Sequence, residues 1–355
     1  MTRHFLPNPA FRAAQAALAI PASVARRLAG PPVRSEGCEL DPHVQLMLRS
    51  AALLPLPTII HDPGVTAPQR RRMNRRATAI GMLRARGVAV TDRTVPGPAG
   101  AIPVRVYRPD DAPPAPPIVV FYHGGGWVVG DLDTHDGDCR MLARISRCVV
   151  VAVDYRRAPE HRYPAALDDA LAAYRWVRAH TAQLRAGEAV AVMGDSAGGS
   201  LAAVVSVSLR DAGEPVPIAQ GLVYPATDMR MDAPSHHEFA EGLFLTRADV
   251  LWFREQYCPD PSLWTDPRVS PLLDPDPRGL PPTRIWTAGF DPLRDEGEQY
   301  GADLAAAGVP TVVRREPSMI HGYLGMGVLP GGLQRIARVC WEMADLVAGA
   351  AGPTA

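Results

Sequence analysis

Lysine is absent from the 355-residue chain, so all 37 basic side chains are arginine. This excludes every mechanism that needs an ε-amine: a phosphate loop with its lysine, a lysine Schiff base and a Ser-x-x-Lys nucleophile. Cysteine is scarce, with five residues at positions 38, 139, 148, 258 and 340. The count is odd and no pair has C-x-x-C spacing, so neither a zinc site nor a disulfide framework is indicated. Free, mostly buried thiols in a reducing compartment are expected, which points to a cytoplasmic location. Net charge is also missing, because 37 acidic residues balance the arginines, and nothing global calls for nucleic acid or an acidic partner. No apolar run approaches the roughly 20 residues of a membrane-spanning helix. The opening "MTRHFLPNPAFRAAQAALAIPASVARRLAG" superficially resembles a signal peptide, but Gln15 and Pro21 interrupt its apolar run and Arg26 and Arg27 close it. An amphipathic helix is the better reading.

Residues 1–85 read as helical and irregular, without strand-like runs. One helix is expected from Asp41-Pro42 through Val44, Leu46, Leu48 and the leucines beyond, and another in "APQRRRMNRRATAIGML". Five arginines between positions 70 and 76 read as a solvated helix face in preference to a lipid-headgroup contact. From about residue 86 the texture changes. "VAVTDRTVPGPAGAIPVRVYRP" carries a hairpin signal. Strand-like runs at 117–123, 148–155, 188–196, 218–225, 284–291 and 310–316 then alternate with helical stretches near 137–147, 165–180, 197–211, 294–307 and 332–349. Short continuous apolar runs between helices predict an α/β fold, a mostly parallel sheet covered on both faces. The stretch 228–270 has helical pattern and no β run, and reads as an insertion above the C-terminal edge of the sheet, where such folds bind ligands.

The chemistry is concentrated at the predicted strand ends. "MGDSAGGS" places G-x-S-x-G, Gly194 to Gly198, between a strand and a helix. A serine on that tight turn projects its Oγ off the sheet, and the next N–H sits at a helix N-terminus where an oxyanion is favoured. A hydroxyl needs a base. Of the later histidines, His236 and His237 lie inside the insertion, whereas His321 follows the last strand-like run and precedes Gly322. Asp291 directly follows "RIWTAGF" and would hold His321 in the right tautomer. Asp295 and Glu296 fall a turn into the next helix, where a helix-start or salt-bridge role is expected. "FYHGGGWVVGD" supplies three consecutive glycines, Gly124 to Gly126, after a buried strand. Loops of this type provide the other oxyanion donor in lipases and esterases. Gly124 and Gly125, with Ala197, are expected to form the hole, each glycine being needed because a Cβ would block the backbone bend or the substrate. His123 reads as a loop-orienting residue.

These motifs, together with "DYRRAPEHRYPAALDD" (154–169), "DPLRDEG" (291–297) and "HGY" (321–323), resemble those of the hormone-sensitive-lipase-like esterases, a family of the α/β-hydrolase fold. The resemblance spans about 120 to 325. It implies carboxylic-ester hydrolysis of short- to medium-chain acyl substrates through an acyl-enzyme, with no cofactor. No metal is expected either, since His236-His237-Glu238 lacks H-E-x-x-H spacing. The resemblance also implies a helical cap made of 1–85 and the insertion 228–270 over a catalytic core of 86–227 and 271–355. Glu160, Asp154 and Tyr155 then become residues supporting the strand end and the serine turn, and His123, Gly126 and Asp195 are read as supporting too. Trp127 and Met229 each adjoin a motif at a strand end, and Phe239 and Phe244 supply apolar surface in the insertion, which makes these four candidates for the pocket wall. A small acyl ester is the implied partner, with peripheral lipid contact and self-association left as options. The same machinery serves lactone, amide or carbamate hydrolysis or acyl transfer, and a non-catalytic binder could share the scaffold.

Overall fold

The computed structural model describes residues 5–7, 9–52, 65–81 and 83–351. Its centre is an eight-stranded sheet: β1 (Val88–Gly97), β2 (Gly100–Pro109), β3 (Ile118–Tyr122), β4 (Val149–Val153), β5 (Val190–Asp195), β6 (Gln220–Val223), β7 (Thr283–Phe290) and β8 (Thr311–Ile320). The spatial order is β8-β7-β6-β5-β3-β4-β2-β1. The hairpin β1–β2 lies antiparallel at one edge, β2 pairs antiparallel with β4, and the remaining neighbours are parallel. Strands β3, β4 and β5 are buried along their whole length. That explains their unbroken apolar sequences, since both faces must be covered.

Side-chain alternation splits the core into two layers. Val120, Val151, Val192 and Leu222 face one way, into a cluster with Leu167, Tyr174, Leu201 and Val205. Val119, Phe121, Val150 and Met193 face the other way, toward Met141, Leu142, Ile336 and Met343. The covering helices are α6 (Ala165–Ala179), α7 (Ala197–Asp211) and α10 (Arg294–Ala306) on the first face, with α5 (Asp136–Ser146) and α11 (Gly332–Ala351) on the second.

Two segments stand outside this pattern. The N-terminal one holds α1 (Pro9–Leu18), α2 (Ala22–Ala29), α3 (Pro42–Ala52) and α4 (Ala67–Gly81). Leu53 and Leu54, part of the helix expected from Asp41, lie outside the described residues. Short antiparallel pairs, Phe5–Pro7 with Leu83–Ala85 and Arg34–Ser35 with Cys38–Glu39, correct the expectation that this segment lacks strands. Pieces of two or three residues are too short to carry a periodic signal. The stretch 228–270 contains α8 (Pro234–Glu238) and α9 (Arg247–Tyr257), the latter started by a reciprocal cap between Thr246 and Asp249.

Strand β8 runs further than 310–316, through Pro317 to Ile320. It is an edge strand, where a missing N–H is tolerated, and Gly289 on β7 has no Cβ to collide with the Pro317 backbone. The extension carries the chain directly to His321. Among the described residues, no helix is long and apolar enough to cross a membrane.

Candidate active site

Ser196 closes β5 and precedes α7 with φ of 54°, a left-handed conformation that a residue with a side chain adopts only under constraint. Its N–H donates to the Val223 carbonyl at 2.8 Å. The flanking glycines are forced by neighbouring backbone: a Cβ on Gly194 would meet the Gly198 carbonyl, and one on Gly198 the carbonyls of Tyr122 and His123. Small residues are needed because α7 starts against the end of β3.

His321 stands at the end of β8, where Gly322 turns the chain at φ of 76°. His321 Nε2 lies 3.0 Å from Ser196 Oγ, and Nδ1 lies 2.8 Å from Asp291 Oδ2. Asp291 follows β7 and is fully buried, its other oxygen accepting the Leu293 N–H at 2.9 Å. The Tyr224 ring packs on the imidazole at 4.5 Å between centroids. Three strand ends thus bring together residues spread over 126 positions of sequence (196 to 321). With Nδ1–H directed at a carboxylate, Nε2 presents its lone pair to the hydroxyl, the arrangement a general base requires.

The triple glycine has three separate causes. A Cβ on Gly124 would run into the Asp195 carboxylate, one on Gly125 (φ 114°) into the Val129 carbonyl, and one on Gly126 (φ 58°) into the Phe253 ring of α9. The expectation that Gly124 is an oxyanion donor is corrected, because its N–H donates to Asp195 Oδ1 at 2.8 Å. The amides of Gly125, Gly126 and Ala197, by contrast, have no acceptor among the described residues. Sequence alone could not count which amides a neighbouring carboxylate would take.

The surroundings of this loop are densely tied. His123 Nδ1 sits 2.8 Å from the Gly124 carbonyl, and its ring stacks on Tyr155 at 4.2 Å, whose hydroxyl donates to the His123 carbonyl at 2.7 Å. Burial, reinforced by the nearby His135, pushes the His123 pKa down to about 3, so this ring is neutral. Asp154, 3.2 Å from Arg157, is pulled upward by burial. His135, which the motif reading passed over, has Nε2 3.3 Å from Asp195 Oδ1. The signal was present as a lone histidine amid Asp131, Asp133, Asp136 and Asp138 directly after the glycine loop.

The reading of the arginine run as a solvated face holds for Arg72, Arg75 and Arg76, which are exposed, and is corrected for Arg70 and Arg71. Arg70 is buried, its guanidinium 4.6 Å from the Trp252 ring. Arg71 donates to the carbonyls of Val128 (2.8 Å) and Ala158 (2.9 Å) and pairs with Glu160 at 2.6 Å. Arg75 pairs with Asp131 at 2.5 Å. Glu160, expected to support the serine turn, therefore anchors α4 instead.

Of the pocket candidates, Trp127 is buried and stacked on Tyr257 at 4.4 Å, and Met229 is buried with its N–H donating to Ser270 Oγ at 2.7 Å. Phe239 is corrected to core, enclosed between the Phe290 ring at 5.8 Å and the Arg294 guanidinium at 4.9 Å. Phe244 is 51% exposed, its ring beside Gly322, the residue after His321.

The two histidines of the insertion point apart. His237 is exposed and reaches Asp232 at 2.9 Å, whereas His236 is buried against Glu296 at 2.7 Å. Glu296 also accepts the N–H groups of Thr227 at 2.7 Å and Asp228 at 3.3 Å. Burial holds its carboxyl above the ordinary range, against the opposing pull of His236.

Comparison with known proteins identifies the chain's relatives. Residues 119–325 match the family model of the alpha/beta hydrolase fold. The carboxylic ester hydrolase LipN of Mycobacterium tuberculosis is 45% identical over 312 residues, 86% of this chain and 82% of that protein. An ethyl acetate hydrolase of Pseudomonas putida is 40% identical over 230 residues, 64% of this chain and 72% of that protein. Among solved structures, an alpha/beta hydrolase enzyme from the metagenome of Lake Arreo superposes with a TM-score of 0.82 at 40% identity, covering 86% of this chain and 98% of that one. Shared sequence along most of the length, on the same sheet, makes this chain a member of the α/β-hydrolase family, in its hormone-sensitive-lipase-like group.

Proposed function

We propose that this protein hydrolyses carboxylic esters of short to medium acyl chain through Ser196, His321 and Asp291. The observation that carries the reading is the unbroken hydrogen-bonded chain from the Ser196 hydroxyl through His321 to the buried Asp291. Ser196 Oγ attacks the acyl carbon while His321 Nε2 takes its proton. The carbonyl oxygen becomes an alkoxide facing the amides of Gly125, Gly126 and Ala197. Each such donor is worth about 3 kcal/mol of transition-state stabilisation. His321 then protonates the departing alkoxide, and the acyl-enzyme remains. Water attacks that intermediate by the same route in reverse, with Asp291 holding the imidazolium throughout.

Residues 1–85 and 228–270 are proposed to form the cap over a core of 86–227 and 271–355. Phe244 is proposed as part of the acyl-side wall, being exposed beside Gly322, which follows the base in sequence. The names of the relatives, carboxylic ester hydrolase and ethyl acetate hydrolase, support an ester as substrate and a small acyl group. The test compares wild type with Ser196→Ala on p-nitrophenyl esters from acetyl to palmitoyl. The variant is expected to lose at least about 10⁴-fold in kcat. Turnover at the wild-type rate would refute the nucleophile, and a maximum at palmitoyl would refute the chain-length reading.

A further inference from the structure

We propose that His135 is a positioning residue: as an imidazolium it holds the Asp195 carboxylate, which in turn sets the aim of the oxyanion loop through Gly124. The inference rests on the ester-hydrolase reading above and adds to it a residue that touches neither nucleophile nor substrate.

The geometry is a relay of three groups. Asp195 immediately precedes Ser196, so its side chain is fixed to the same turn as the nucleophile and the Ala197 amide. Through Oδ1 it accepts the Gly124 N–H at 2.8 Å. This bond sets the distance between the two halves of the proposed hole, the Gly125–Gly126 amides on one side and Ala197 on the other. Asp195 is buried, and a buried carboxylate stays ionised only beside a positive charge or strong donors. The cation available is His135, 3.3 Å away with 15% of its side chain exposed.

Hydrogen bonding around His135 fits the doubly protonated ring. Thr134 Oγ1 accepts the Asp131 N–H at 2.8 Å and lies 2.9 Å from both the Asp131 carbonyl and His135 Nδ1. The carbonyl can only accept, so the single hydroxyl proton goes to it. His135 Nδ1–H then donates to Thr134, while Nε2 faces the Asp195 carboxylate at 3.3 Å.

The charged groups facing His135 are Asp195 from the end of β5, Asp131 from the loop after the glycines, and Asp138 on α5. The neutral His123 ring, at the end of β3, is 5.6 Å away between centroids, and Phe121 presents its ring at 6.1 Å. Burial opposes the charge on His135, but attraction to the Asp195 carboxylate prevails and pushes the pKa up to about 9. Burial likewise pushes the Asp138 carboxyl up to about 7. A histidine raised from 6.5 keeps its full contribution below about 6.5 and loses it as pH passes about 9.

The experiment measures kcat and KM for p-nitrophenyl butyrate in wild type, His135→Gln, Asp195→Asn and the double variant. His135→Gln is expected to lower kcat about 10- to 100-fold with KM within about twofold, the scale of a misplaced catalytic group. In the Asp195→Asn background, where no buried carboxylate needs a counter-charge, His135→Gln is expected to change kcat less than about threefold. Wild-type kcat should fall on an alkaline limb near pH 9 that Asp195→Asn lacks. Equal kcat in wild type and His135→Gln, or the same alkaline limb in wild type and Asp195→Asn, would overturn the proposal. If His135→Gln does not fold, the two pH profiles decide alone. Wild-type enzyme that neither turns over ester nor labels with a fluorophosphonate would instead defeat the underlying functional reading.

Discussion

Two of the histidine–carboxylate pairs in this fold are closely matched in length and burial and differently employed. His321 and Asp291 meet at 2.8 Å, His236 and Glu296 at 2.7 Å, and both carboxylates are fully enclosed. In the first pair the second imidazole nitrogen reaches Ser196 Oγ at 3.0 Å. In the second, the remaining nitrogen, Nδ1, has no hydrogen-bond partner among the described residues, and Glu296 turns its other oxygen to the backbone of Thr227 and Asp228. One pair faces a hydroxyl on a turn; the other fastens the 228–270 stretch to α10. A buried imidazole beside a carboxylate is therefore no sign of catalysis by itself. What matters is the group offered to the outer nitrogen and whether a substrate can reach it.

Substitutions can separate the two pairs, beginning with the strongest effect. Asp291→Asn should lower kcat about 10⁴-fold by reversing the His321 tautomer preference, with little change in melting temperature. Steady-state kinetics beside a thermal melt tests this, and a loss under tenfold would remove the distinction between the pairs. Glu296→Ala should do the opposite. It leaves His236 and two buried N–H groups without their acceptor, a loss of about 3 kcal/mol in stability, while kcat of the folded protein stays within about threefold. Chemical denaturation measures the first quantity. A kcat collapse in a variant of normal stability would show that the second pair also serves the reaction. The smallest effect is expected at Arg71→Ala, which frees the Val128 and Ala158 carbonyls and Glu160 from α4. A loss of about 1 kcal/mol in stability and a two- to fivefold drop in kcat would mark α4 as a brace for the glycine loop. An unchanged kcat would limit its part to docking.

Legibility in the sequence followed the same division. Asp291 was readable because it directly ends a strand-like run, and His321 because it is the later histidine outside the 228–270 stretch, beyond the last such run; strand ends converge at one edge of a parallel sheet. The apolar runs of β3, β4 and β5 and the start of α7 at Ala197 were readable for a related reason: full burial leaves an unbroken pattern. Glu296 was separable from Asp291 by its place inside α10, but its partner His236 was not, since nothing local to the insertion indicates where α8 docks. Gly124 was misread as a donor because a glycine's φ freedom is visible in sequence, whereas the acceptor that takes its N–H lies 71 positions away. The arginines of α4 carry the same lesson. A run of guanidinium groups on a helix has the composition of a solvated face, yet Arg70, Arg71 and Arg75 all meet partners in the body of the protein.

The sequence by itself determined the layered α/β architecture and the turn that exposes Ser196. Each depends on local backbone geometry and on the period of apolar residues, which adjacent positions encode. Only the tertiary structure decided which amides stay open, which buried histidine faces a hydroxyl, and that His135 stands against Asp195. Those outcomes depend on distances between segments remote in the chain, and a hydrogen bond either forms or fails within about half an ångström.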